Sequence, residues 1–148
     1  MSNKFTERTL HASAVTLCIL LTLGSEAAQS TIDTTVKISV SNITTSDGYV
    51  MAALYDEAGW GKEPVDSVRL AVSEDTLTIS LTAPKPGQYG IRLYHDVDGN
   101  GKLNANVMGI PTEPFGFSNN APPRFGPPPF SAAAFEIGEG GVTQAISL

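Results

Sequence analysis

TTVKISV, residues 34 to 40, decides the fold: Val36, Ile38 and Val40 alternate with Thr35, Lys37 and Ser39, which makes one face of an extended chain apolar and the other polar. Successive side chains of a strand point to opposite sides, so this spacing predicts a half-buried strand. The same period recurs outward from it. Residues 49 to 55, YVMAALY, follow a Ser46-Asp47-Gly48 turn, and Leu77, Ile79 and Leu81 alternate with Thr and Ser. Residues 65 to 72 are less regular. Val68, Leu70 and Val72 alternate there, but Pro64 and Asp66 blunt the start, as suits an edge strand.

Pro84-Lys85-Pro86-Gly87 announces the next strand, a turn in which proline fixes φ and glycine relaxes it. Residues 88 to 95 then run extended and deliver Tyr94 and His95 to the mouth of an Asp-rich loop. Residues 108 to 130 hold seven of the ten prolines, a density incompatible with a helix or a central strand, and predict a long irregular excursion. Regular structure returns at residues 133 to 137 and 142 to 148, the second able to close a sheet as the C-terminal strand. Residues 131 to 134 have room for a single helical turn. No window keeps a helical period, and turn signals recur about every ten residues. The expected class is all-β: a small antiparallel β-sandwich, immunoglobulin-like or transthyretin-like, of about six to eight strands with a long Pro/Gly-rich loop.

Residues 1 to 27 read as a signal peptide, with Lys4 and Arg8 as the positive region, an apolar run from 12 to 23, and Ser25-Glu26-Ala27 as a small-x-small cleavage site. A run that short falls well below the roughly 20 apolar residues a membrane span needs, so no stable membrane anchor is expected after processing. Cys18 lies inside the run and is preceded by the large Leu17, which argues against a lipoprotein site. The mature chain, residues 28 to 148, is expected to be one exported domain, periplasmic or extracellular. Processing removes two basic and two acidic residues, so the net charge stays at -6, a poor match for nucleic acid. No cysteine remains in the mature chain, so packing and any bound ion must hold the fold.

The chemistry concentrates in residues 94 to 106, YHDVDGNGKLNAN. Asp96, Asp98 and Asn100 fall at positions 1, 3 and 5 of a calcium loop, Gly101 at the sharp turn, Lys102 at the backbone-carbonyl position, Leu103 at the inward apolar position and Asn104 at position 9. Val107 stands where a bidentate Glu closes a standard loop. Glu113 is the one acidic residue in the following excursion and is the candidate third carboxylate; Asn106 is a further amide. With two or three negative charges and no flanking helices, calcium binding is expected to be weak and structural, with Kd on the order of 10⁻⁴ to 10⁻³ M. The same residues also read as a self-bonded turn, Asp and Asn bonding their own backbone while Gly99 and Gly101 supply positive φ. The sequence leaves both readings open.

No catalytic or cofactor-binding residue is expected beyond this candidate ion. His95, the one histidine of the mature chain, precedes Asp96 on a strand, so the two side chains face opposite ways, and the expected role is a satisfied strand-end histidine. Zinc ordinarily takes several His or Cys ligands. Ser118 lacks the G-x-S-x-G elbow of a hydrolase nucleophile. Phe115, Phe117, Phe125 and Phe130 are expected to plug an open end of the sandwich, with Trp60 as a loop anchor. Exposed instead, the phenylalanines with Asn119, Asn120 and Arg124 would form a binding surface for a glycan or a surface protein.

Several of these stretches carry a resemblance: residues 94 to 106, Gly109-Ile110-Pro111-Thr112-Glu113, Phe115-Gly116-Phe117-Ser118-Asn119-Asn120, Pro128-Pro129-Phe130 with Phe135, and upstream residues 48 to 56 and Pro86-Gly87-Gln88-Tyr89. Together they resemble a bacterial exported family known as the domain of unknown function numbered twenty-one forty-one. The resemblance spans nearly the whole mature chain. It implies a small secreted β-sandwich and brings no established activity or substrate. It also implies Asp where this chain has Asn104 and Asn where it has Asp98, so acidic groups are redistributed around the loop more than added.

Overall fold

The computed structural model describes residues 32 to 148, and the expected leader at 1 to 27 lies outside the described residues. Eight strands form among the described residues: β1 Asp33–Ser41, β2 Tyr49–Tyr55, β3 Asp66–Ala71, β4 Leu77–Thr82, β5 Gly87–Asp96, β6 Phe115–Phe117, β7 Phe135–Ile137 and β8 Gly140–Ser147. One helical turn, α1 Phe130–Ala133, and a 3-10 turn at Ser118–Asn120 complete the regular structure. Two sheets result. One has the order β4-β1-β8, the other β3-β2-β5-β6, with β7 also on β5. The β-sandwich expected from the period-two pattern is therefore present, and β3 sits at an edge.

Alternation produces the core directly. Val36, Ile38 and Val40 of β1 and Leu77, Ile79 and Leu81 of β4 face Val50, Ala52, Leu54, Ile91 and Leu93 of the opposite sheet. Burying a side chain of the size of Ile38 contributes roughly 1.5 to 3 kcal/mol, so a one-residue slip that turned these residues outward would cost most of the folding free energy. Asp66 ties the sheets at one edge, its Oδ2 accepting the Thr82 amide of β4 at 2.7 Å.

The pairing departs from the expected antiparallel pattern at one place. β8 runs parallel to β1, from Val36↔Val142 to Ser41↔Ser147. Parallel neighbours need a long crossover, and the segment between β5 and β8 supplies it by carrying the chain to the far end of the sandwich.

The excursion differs more. Phe115-Gly116-Phe117 is an edge strand paired with β5 through Arg92↔Phe117, Leu93↔Gly116 and Tyr94↔Phe115. Proline excludes a central strand, not a short edge strand lying between Pro114 and the turn at Ser118. β7 pairs with the opposite half of the same edge of β5, from Gly87↔Ile137 to Tyr89↔Phe135. Ser118 closes the seam between β6 and β7: its Oγ accepts the Ile91 amide at 2.9 Å and donates to the Ala133 carbonyl. Asn119 and Asn120, both at positive φ, fasten the turn further. Asn119 Nδ2 donates to Ala134 O at 2.9 Å, and Asn120 Oδ1 accepts the Ser147 amide at 2.9 Å.

The phenylalanines divide. Phe117 packs with Ala121 and Ala133 and is flanked by Trp60 and Phe115. Trp60 anchors its loop as expected, its Nε1 donating to Pro128 O at 3.0 Å and its ring meeting Tyr55, Phe117 and Phe130. Phe125 contradicts the expected plugging role, because its side chain stands fully in solvent at a positive φ of 54°.

Candidate metal centre

β5 alternates Ile91, Leu93 and His95 toward the core with Arg92, Tyr94 and Asp96 on the other face. His95 is fully buried; its Nε2 lies 2.7 Å from the Asp47 carbonyl while Nδ1 has no partner. It is thus satisfied at one ring nitrogen only. Ser118, considered as a nucleophile, spends its hydroxyl on Ile91 and Ala133.

Asp96 ends β5 and is fully buried beneath the loop that follows. Its Oδ1 accepts the Asn100 amide at 3.0 Å and its Oδ2 the Gly101 amide at 2.8 Å. Gly99 and Gly101, at φ of 72° and 80°, turn the backbone so that these amides point inward. Asp98 is exposed at the loop mouth. Its Oδ2 accepts the Asn104 side-chain amide at 2.8 Å and the Asn100 side-chain amide at 2.9 Å. The Asn104 bond is the chief reason that the Asp98 carboxyl is held below the ordinary carboxylate range.

Glu113 returns to this place from the far side of a small hairpin. Asn106 shapes the hairpin tip, its Oδ1 accepting the Met108 and Ile110 amides at 2.9 and 3.1 Å, so that amide is a turn cap. The Glu113 carboxylate is buried; Oε1 accepts the Val97 amide at 2.9 Å and Oε2 the Asn104 amide at 2.8 Å. Asp96, Asp98 and Glu113 each present an oxygen within 4.8 Å of the others. Oxygens on opposite sides of a calcium ion stand roughly 4.6 to 5.2 Å apart, twice the usual bond length, so the spacing fits one coordination sphere.

Of the six residues expected to ligate, the three carboxylates converge, with Asn100 and Asn104 beside them. Lys102 donates its amide to Asn100 Oδ1 at 2.8 Å, which keeps its backbone within the loop. The donor set is all oxygen, which selects hard cations over zinc or copper. Each carboxylate oxygen that accepts one N–H keeps a second lone pair, and a half-turn of the Asn100 and Asn104 amides exchanges their N–H groups for oxygens. Leu103 contradicts its expected inward position: at 37% exposure it faces a surface groove.

Two contacts on the loop were not legible in the sequence. Arg69, from β3, stacks 3.5 Å above the Tyr49 ring, donates to Gly99 O at 3.3 Å and reaches Asp96 Oδ2 at 4.0 Å. Tyr94 donates its hydroxyl to Gly101 O at 3.1 Å, and burial, then the charges of Asp96 and Glu113, push its phenol up from the ordinary value. Arg69 lies far from the loop in sequence and arrives there through strand register, while Tyr94 stands at the loop mouth as expected and only its bond to Gly101 is new.

Fold and loop define a small β-sandwich with an acidic, amide-rich loop at one sheet end. The chain belongs to the bacterial family described as "Uncharacterized protein conserved in bacteria (DUF2141)", whose model matches residues 38–145. No curated protein and no solved structure matches the chain.

Proposed function

We propose that the protein is an exported, non-enzymatic β-sandwich whose loop takes up one structural calcium ion. Asp96, Asp98 and Glu113 supply the charge, and the Asn100 and Asn104 amide oxygens with the Lys102 carbonyl complete the ligand set. The reading is carried by one observation: carboxylates from two segments, separated by a hairpin, bring oxygens within 4.8 Å of one another. Three anionic groups so close repel, and the lone guanidinium at 4.0 Å offsets little of that. A divalent ion at their centre turns the repulsion into attraction.

Its work is narrower than holding the whole excursion. β6 pairing and the Ser118 to Asn120 bonds already fasten residues 115 to 120. What the ion joins is the loop after β5 to Glu113, fixing residues 97 to 113. Because it binds only the native loop, it stabilises by about 1.4 kcal/mol when free calcium is ten times Kd.

Millimolar calcium is therefore expected to raise the melting temperature of residues 28 to 148 by a few degrees. Asp96→Ala together with Asp98→Ala abolishes the rise. Identical melting curves in calcium and in chelator would leave the loop as a self-bonded turn.

The alternative, a glycan-binding surface, has less support. Asn119 and Asn120 are engaged with Ala134 and Ser147, and Trp60 is packed among aromatic rings.

A further inference from the structure

Arg92 is the odd charge of this molecule. It lies half-buried on β5, and among the described residues its guanidinium has no ion pair and no hydrogen bond, in a chain with fifteen acidic side chains. Its position is nonetheless built. The guanidinium carbon lies 5.7 Å from the Trp60 ring and 5.9 Å from the rings of Tyr55 and Phe117. Two glycines make room for this cluster. A Cβ at Gly61, whose φ is 73°, would come within 2.3 Å of an Arg92 nitrogen, and one at Gly90 within 2.7 Å of the Trp60 ring. Aromatic faces hold a guanidinium in place and leave its N–H edge free to bind an acceptor.

Arg92 lines a groove of about 630 Å³ in which it is the one charged residue. Leu103, Met108 and Ile110 line it together with Phe117, Pro123 and Phe125. Met108 is 79% exposed, Ile110 55% and Phe125 115%, a concentration of bare apolar surface at one place. Such a patch marks a binding surface when it is contiguous, and the volume lies within the roughly 300 to 1,000 Å³ of small-molecule sites.

We propose that this groove binds a small amphiphile with a carboxylate head and an apolar body, the head paired with Arg92 and the body along Met108, Ile110 and Phe125. A planar guanidinium matches a carboxylate through two parallel N–H···O bonds. The lining offers no hydroxyl, amide or carboxylate side chain to satisfy a polar body such as a sugar acid. Arg92 and Phe117 belong to paired strands, whereas Leu103, Met108 and Ile110 stand on the segment that the ion is proposed to fix, so that part of the lining rests on the calcium reading, and the titrations are run in millimolar calcium, whose own binding is measured separately.

Decanoate, titrated below its micellar concentration, is the probe. Trp60, the single tryptophan, reports binding by fluorescence, and isothermal calorimetry provides a second readout. Saturable binding at one site is expected, with 1-decanol at least tenfold weaker for want of the charged hydrogen bonds. Arg92→Gln weakens decanoate about tenfold or more. Met108→Ser together with Ile110→Ser, at exposed positions, weakens it severalfold while the melting temperature stays unchanged. The proposal is overturned by absence of saturable decanoate binding, by equal affinity for decanol and decanoate on the unaltered protein, or by an Arg92→Gln variant that melts normally and binds as before.

Discussion

Ser118→Ala lowers the stability of the sandwich by about 2 to 4 kcal/mol, a fall in Tm of roughly 10 °C. The hydroxyl is fully buried and does two things at once: it accepts from the Ile91 amide and donates to the Ala133 carbonyl. On one edge of β5 the β6 ladder ends at Arg92↔Phe117 and the β7 ladder ends at Tyr89↔Phe135, so the Ile91 amide between them has no strand partner. Removing the oxygen strands a donor and an acceptor in the interior, each costing about 1 to 3 kcal/mol, while the lost volume is small. Urea unfolding of the mature chain measures the effect. A change below about 0.5 kcal/mol, the range of a surface substitution, would mean that Ser118 does not join the two short strands to the sheet.

Gly48→Ala is expected to cost about 2 to 5 kcal/mol, from backbone strain and steric displacement together. Gly48 holds a φ of 76°, and a Cβ there would stand 2.0 Å from the Asp96 carbonyl oxygen and 2.8 Å from Val97. Both neighbours are backbone, so no rotamer change relieves the clash. The displaced segment is the end of β5 that carries Asp96 into the loop, and β2 pairs with it through Tyr49↔Asp96. The variant should therefore lose stability and part of its response to calcium, whereas Ser118→Ala should lose stability alone. Thermal melting of each variant with and without calcium separates the two. A Gly48→Ala protein with the original Tm would show that the close approach is not maintained.

The strands that alternate cleanly were readable from the residues. YVMAALY gave β2 its bounds because the Ser46-Asp47-Gly48 turn precedes it, and Val36, Ile38 and Val40 gave β1 its inner face. β6 was not readable, since a three-residue strand of Phe115-Gly116-Phe117 has no period to detect and lies among prolines. Gly116 is there for proximity: a Cβ would meet Ile146 at 2.8 Å and Ser147 O at 3.1 Å. The parallel course of β8 was hidden for a different reason. Alternation sets which face is buried and carries no information about strand direction.

Within the loop, the two-residue steps between Asp96, Asp98 and Asn100 were visible, and so was Glu113 as the third acid. Arg69 and Arg92 were not, because an outward arginine on a strand reads as a solvated residue until its neighbours are known. Leu103 was misplaced by a template that assumes flanking helices. Here a hairpin follows instead, and the side chain turns to the groove.

Direct calcium titration of residues 28 to 148 by isothermal calorimetry tests the central claim most closely. One site with Kd on the order of 10⁻⁴ to 10⁻³ M is predicted, weakened by Glu113→Gln, which removes one charge from the ligand set. A protein that gives no saturable heat up to roughly 10 mM calcium, well above that range, would contradict it.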